Sequence, residues 1–479
     1  MRAFALLGAA CALVPALAMW GFTVDDALIP VRYAHNLASG AGYRFDAHGP
    51  STDGVTPLPW ALLLAPLARG DGLATLLRAK ALGVAAWTLA GAVLGQRLGA
   101  MLGGRPRREA ALAALALVTM ALAFPIGAWA SSGMETGLAT ALATVAIARL
   151  GVGRPVAVAA LAGLVAALRP EMVVWALAVG VGASILGRQG ESDADSRGAV
   201  AALLRGAAVA ATPFILCAAT RLAVFGRPAP LAVLAKPSDL SHGALYVGAA
   251  TLVILTPLLA IAPLALLRGG APGVEGADAR ARAVARIIVA AFVAHALAVL
   301  AAGGDWMPYA RLMVPVAPSL VLAFVALQPT KRIAFSLARL LAALVLGTLV
   351  AVRAAPAGRS VHADRADLIT RARPVLADSR VVAALDIGWA SAATEASLVD
   401  LAGLTDASIA MLPGGHTSKR VDTSMLLDRG VDTVLVYSDI RVVEQRIVRS
   451  ELFASRFEKV AELPLGSRGA FYAVYRRRR

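Results

Sequence analysis

Residues 1–26 read MRAFALLGAACALVPALAMWGFTVDD. One basic residue, Arg2, precedes an apolar run over 3–20, and two carboxylates, Asp25 and Asp26, come just after its end. About 20 apolar residues span the hydrocarbon core of a bilayer as a helix. The stretch therefore predicts a membrane helix that delivers a carboxylate pair to the far surface. Its basic start, apolar core and Ala16-Leu17-Ala18 also fit a cleaved signal peptide. Both readings put the loop that begins at residue 21 outside.

Outward from this stretch the pattern repeats. Further apolar runs lie at 80–98, 109–124, 131–149, 155–168, 171–187, 199–220, 244–266, 285–302, 310–328 and 333–354. With 3–20 they predict about eleven transmembrane helices. The 479 residues are 58% apolar, with a mean hydropathy of +0.71, against about 45–50% apolar for soluble chains. The excess is confined to residues 1–354, and 355–479 have the composition of a soluble domain. The expected fold class is a polytopic α-helical membrane protein with a C-terminal soluble α/β domain. Its domains are a membrane domain over 1–354, with a first outside loop over 21–79, and the soluble domain over 355–479.

Charge sets the orientation. With the N-terminus inside, the inside loops hold 14 Lys/Arg in 54 positions and the outside loops 10 in 100. The inside density is roughly 2.5-fold higher, as the positive-inside rule requires. This places the chain in a bacterial cytoplasmic membrane with the C-terminal domain outside; the Ala- and Arg-rich usage fits a GC-rich bacterial genome. The net charge of +16 is topology signal, since much of the arginine sits in short loops between apolar runs, and no nucleic-acid partner is expected. Cys11 and Cys217 lie far apart in apolar runs and imply neither a disulfide framework nor a metal site.

In the soluble part, 379–386 (SRVVAALD) and 396–404 (ASLVDLAGL) read as strands. Residues 424–439 read as a helix followed by a third strand, and the C-terminus ends as a hairpin turning near Gly466-Ser467. Strands alternating with helices predict a small α/β layer. Arg476–Arg479 reads as a solvated tail or a membrane-surface contact.

The first outside loop carries the chemistry. Asp26 stands where it would cap a helix over ALIPVRYAHNLASG, and the same pair is a candidate catalytic or metal-binding site. That helix is amphipathic, with Arg32, His35 and Asn36 on its polar side, and suits a membrane surface where a lipid phosphate would sit. PLPWALLLAPLA (57–68) is too short to span comfortably and reads as an interfacial or re-entrant helix. Further polar residues stand where apolar runs meet the outside: Glu135, Arg169, Glu171, Arg221, Lys236, Asp305 and Arg311. Ionisable residues at helix ends are often snorkelling anchors. Four of these, Arg169, Arg221, Lys236 and Arg311, are cations placed against the positive-inside trend, and an anionic phosphate is one local reason for that.

The ordered motifs DDALIPVRYAHNLASGAGYRFD, DGVTPLPW, SGMET, LRPE, FGRPAPLAVLAK, GGDWMPYAR and DLAGLTDASIA resemble the GT-C fold of membrane glycosyltransferases. More narrowly, they resemble the branch containing the terminal arabinofuranosyltransferase of the mycobacterial cell wall. The resemblance implies a polyprenyl-phosphate sugar donor, inverting transfer, and a cell-envelope glycan or glycolipid acceptor. On it, Asp25 or Asp26 is the general base, or a ligand of Mg or Mn. Arg169, Arg221, Lys236 and Arg311 face the donor phosphate, and Arg32, His35, Glu135, Glu171 and Asp305 contact substrate. The chain departs from the family at PAPLAVLAK, where a Pro-Asn-Thr-like turn often precedes the Lys, and at Thr52-Asp53, where Val-Glu is frequent.

Two readings from other classes stand beside it. A lipid or glycan transporter or flippase would show internal repeats and charged or broken helices near the midplane. The chain shows no repeat, and His295 is its one such candidate, a residue type more often packed and hydrogen-bonded. A non-enzymatic envelope assembly factor would tolerate loss of the Asp pair.

Overall fold

The computed structural model describes residues 1–103, 105–188, 196–235, 238–255, 277–327, 333–467 and 469–478. They form two compact units. One comprises Met1–Trp20, Lys80–Leu216 and Ser238–Arg359; the other comprises Gly21–Ala79, Cys217–Pro237 and Ser360–Arg479. The second unit thus takes in the first loop and a segment from within the helical half, which the linear division at 354/355 did not contain.

The first unit is helical. Among the described residues, five helices are long and apolar enough to cross a membrane: Gly72–Met101, Pro170–Arg188, Arg197–Phe225, Ala279–Ala301 and Ile333–Leu376. The pair Arg107–Leu122 and Phe124–Ala130, bent by 60°, makes a sixth if taken as one span. The remaining expected spans contain shorter apolar helices: Arg2–Ala18, Thr136–Arg149, Pro155–Leu168, Leu240–Val253 and Val314–Leu327. Residues 256–266 of the expected span 244–266 lie outside the described residues. Turn chemistry sets the ends of two of the others. Gly133 takes a left-handed φ of 88° between Phe124–Ala130 and Thr136–Arg149. Arg169, ahead of Pro170, is extended (φ −137°, ψ 95°), which ends Pro155–Leu168. Small residues bring helices into backbone contact. A Cβ on Gly95 would lie 1.9 Å from the Phe4 carbonyl oxygen, and one on Gly91 2.6 Å from that of Gly8.

The second unit is built on a five-stranded mixed sheet: β1 (Val381–Ala384), β2 (Ser397–Asp400), β3 (Thr433–Tyr437), β4 (Phe457–Leu465) and β5 (Ala470–Arg477). The spatial order is β2-β1-β3-β5-β4, with β1 parallel to β2 and β3, and β5 antiparallel to β3 and β4. The expected strands, the helix before β3 (Thr423–Asp428) and the closing hairpin are all present, with Gly466 (φ 65°) in its turn. Helix Val361–Leu376 buries Leu368, Ile369, Ala372 and Leu376.

The chain leaves β1 through helix Ile387–Ala393 to β2 on one side, then returns to β3 on the other. The reversal makes the carboxyl ends of β1 and β3 a topological switch point, the position where open α/β sheets bind ligands. Residues 21–79 pack onto this domain. The Asp46 carboxylate accepts the Leu398 amide at 3.1 Å, and Asp71 pairs with Arg373 at 3.0 Å. Within 57–68, helix Leu58–Leu64 runs into a 3-10 turn over Ala65–Leu67, with Trp60 and Leu64 buried and Leu62 and Leu63 exposed.

Candidate functional site

Asp25 and Asp26 occupy a short 3-10 turn, Asp25–Ala27, directly before helix Leu28–Ala38. Asp26 does not stand at the expected cap position: the residue directly ahead of that helix is Ala27, and Asp26 belongs to the 3-10 turn. Asp25 instead serves a different helix. Its Oδ2 accepts the Gly388 N–H at 2.8 Å and its Oδ1 accepts the Trp389 N–H at 2.9 Å, at the start of Ile387–Ala393. A carboxylate there satisfies two orphan amides and meets the positive end of the helix dipole. Both aspartates are half-buried.

Asp386, one residue ahead of this helix, completes the cluster. Its Oδ2 accepts Arg441 Nη1 at 2.8 Å and the Tyr472 hydroxyl, while Arg441 is also held by Glu444. The Tyr472 ring packs against Trp389 (4.8 Å between centroids) and Tyr437 (5.0 Å). Burial raises the Asp25 carboxyl above the usual carboxylate range, with Asp386 adding to the rise and Arg365 opposing it. Burial acts the same way on Asp386, but Arg441 and Arg365 overcome it and hold that carboxyl low. Two neighbouring carboxyls are thereby pushed apart, an arrangement that gives a proton acceptor and a fixed anion.

The rest of the loop is pinned by side chains expected at the substrate. Arg32 pairs with the exposed Glu395 at 2.6 Å and reaches the Phe45 and Ser391 carbonyls. His35 Nε2 lies 3.0 Å from Thr75 Oγ1, and burial lowers its pKa. Arg221 and Asp53 form a buried ion pair at 2.6 Å, and Arg221 also donates to the Val55 and Thr56 carbonyls. Replacing Arg221 with Met strands the Asp53 charge. The expected cost is about 3 kcal/mol, read by denaturant titration of purified protein, and Asp53→Asn in the same chain should recover part of it. Lys236 lies outside the described residues.

The other expected residues cluster in the helical unit. Arg169 donates to Glu135 at 2.7 Å and to Glu171 at 2.6 Å, and all three side chains are largely or wholly buried. Arg311 pairs with Asp305 at 2.8 Å and lies 5.8 Å from the centre of the Trp129 ring. The GGDWMPYAR loop that carries them is strained: Tyr309 and Ala310 take left-handed φ of 59° and 51°. Trp129 Nε1 donates to the Tyr309 carbonyl at 3.1 Å, and the Tyr246 hydroxyl accepts the Leu312 amide at 3.0 Å. Trp306 is exposed and stacks on His242 at 4.2 Å. His295 is fully buried, with Nε2 2.8 Å from the Leu312 carbonyl oxygen, so it is packed as its residue type suggests.

Arg169, Arg221 and Arg311, expected at a donor phosphate, thus each have a carboxylate partner. The physical reason is general: a buried cation is stable only with its counter-charge at hand. The Asp25 half of the pair is engaged by backbone. Both Asp25 oxygens already accept amides, and among the described residues no three His, Cys, Asp or Glu side chains converge to hold an ion.

Sequence reading missed Asp386, Gly388, Trp389, Tyr472 and Arg441. The available signal was Asp386 itself, a carboxylate closing the buried run VVAAL at the carboxyl end of a strand. A family model described as Domain of unknown function (DUF8728) matches residues 365–475, the stretch that contains all five. Among curated proteins, none matches the chain.

Proposed function

We propose that this chain is an inverting glycosyltransferase of the GT-C type. It moves a sugar, arabinofuranose in the nearest resemblance, from a polyprenyl-phosphate donor to a cell-envelope glycan or glycolipid at the outer face of the bacterial cytoplasmic membrane. The observation that supports it is the Asp25 carboxylate, placed directly after the first apolar helix and gripped by two backbone amides.

An acceptor hydroxyl is a weak nucleophile until a positioned base takes its proton. In the proposed step Asp25 accepts that proton as the acceptor oxygen bonds to the anomeric carbon. The bond from that carbon to the lipid phosphate oxygen breaks on the opposite face, and the electron pair leaves with the phosphate, which gains one negative charge. A cation beside the departing phosphate would stabilise its growing charge.

The test is transfer from a panel of radiolabelled polyprenyl-phosphate sugars, arabinofuranose included, by purified protein in liposomes with envelope glycan as acceptor. One donor should be consumed, with label appearing in glycan. A panel left intact, under conditions where a known transferase consumes its own donor, overturns the reading.

A further inference from the structure

We propose that the C-terminal α/β domain takes part in the transfer step: helix Ile387–Ala393 positions Asp25, and Gly388 is the residue that permits the approach. The inference rests on the transferase reading and assigns the domain a part in the chemistry.

The argument is steric first. A Cβ on Gly388 would fall 2.0 Å from the Asp25 carbonyl oxygen, 2.7 Å from its carbonyl carbon and 2.8 Å from Oδ2. The first two are backbone atoms, which cannot swing aside as a side-chain tip does. Gly388 is helical, so its conformation suits any residue, and the need for glycine is a need for space. Through that space the Asp25 backbone and carboxylate both reach the helix.

The helix start is itself fixed. Asp386 precedes it and is bonded to Arg441 and Tyr472, Arg441 is locked by Glu444, and Trp389 packs on Tyr472 of β5. Strands β1, β3 and β5 therefore hold the two amides that aim Asp25. A reacting group is effective only when held by neighbours whose own positions are locked. A misplacement of about 1 Å can cost on the order of 100-fold in rate. Gly388 is thus a positioning residue: its amide holds the Asp25 carboxylate, and it acts on the transfer only through Asp25.

The experiment compares full-length wild type with Gly388→Ala and Arg441→Gln, the latter loosening the helix start without crowding Asp25. Readouts are kcat and KM with the donor found active in the panel, and amide exchange over 386–391. Gly388→Ala should lose about 100-fold in kcat with KM within about threefold, and Arg441→Gln should lose less in the same parameter. A loss of stability alone would lower the active fraction and leave the kcat of the folded fraction intact, so rates are normalised to folded protein. In Asp25→Ala the amides of Gly388 and Trp389 should lose protection while those of β1 and β3 keep theirs. Wild-type kcat in both variants, or unchanged exchange at 388–389 in Asp25→Ala, overturns the inference. A wild type that transfers no sugar overturns the functional reading instead.

Discussion

Replacing Arg169 with methionine is expected to destabilise the protein by about 5 kcal/mol, the upper end of what breaking a buried ion pair costs. The guanidinium bonds Glu135, at the start of Thr136–Arg149, and Glu171, in the turn after Pro170. Methionine keeps much of the volume and removes the charge, which leaves two buried carboxylates with no cation between them. Each must then be desolvated unpaired or take up a proton. Equilibrium unfolding of purified protein in mixed micelles reads the loss. The triple variant Arg169→Met, Glu135→Gln, Glu171→Gln should recover most of it, because the strain lies in the stranded charges and not in the missing contact. The same measurement decides what the arginine is for. If Arg169→Met unfolds like wild type and only raises the KM for the donor, its carboxylate partners contribute little and phosphate is its main partner.

That both answers were open before the structure shows where sequence reading stops. Arg169 was visible as a cation out of place, because hydropathy and charge are local properties of the chain. Its partners were not, because ion pairing depends on which helix ends meet. The same divide runs through the fold. The helix and strand of 424–439 and the closing hairpin were legible from apolar periodicity and turn residues. The grouping of 21–79 with 360–479 was not, since it is made by contacts such as Asp25 to Gly388 and Asp46 to Leu398, which are more than 300 residues apart in sequence. Asp26 illustrates the error that local logic makes. It stood in the right place to cap the next helix, yet the residue directly ahead of Leu28–Ala38 is Ala27, and the neighbouring Asp25 caps a helix from the far end of the chain. Helix ends follow a related divide. Apolar content marked the runs at 131–149 and 155–168, while the left-handed Gly133 and the extended Arg169 ahead of Pro170 set where helix Thr136–Arg149 begins and Pro155–Leu168 ends.

Asp25→Asn is expected to abolish sugar transfer, with a loss of 10²–10⁴-fold in kcat, the span attributed to a general base. An amide of the same shape cannot take a proton, so this substitution tests the chemistry with little change of volume. Its Oδ1 can still accept one of the two helix amides, while its NH₂ must face the other. Some loosening of the clamp is therefore built in, and Gly388→Ala measures how much loosening alone costs. If the two variants lose the same rate, Asp25 acts through position, and the base is Asp26, in the same turn. If Asp25→Asn loses far more, Asp25 is the base. The pH profile separates the cases independently. Asp25 must be ionised to act, and burial holds its carboxyl above the usual carboxylate range. Wild-type kcat/KM should therefore rise with pH through a limb displaced upward from that range. Residual activity in Asp25→Asn should lack that limb, because the group that titrates there is gone. A variant that keeps the limb assigns the proton transfer to another carboxyl.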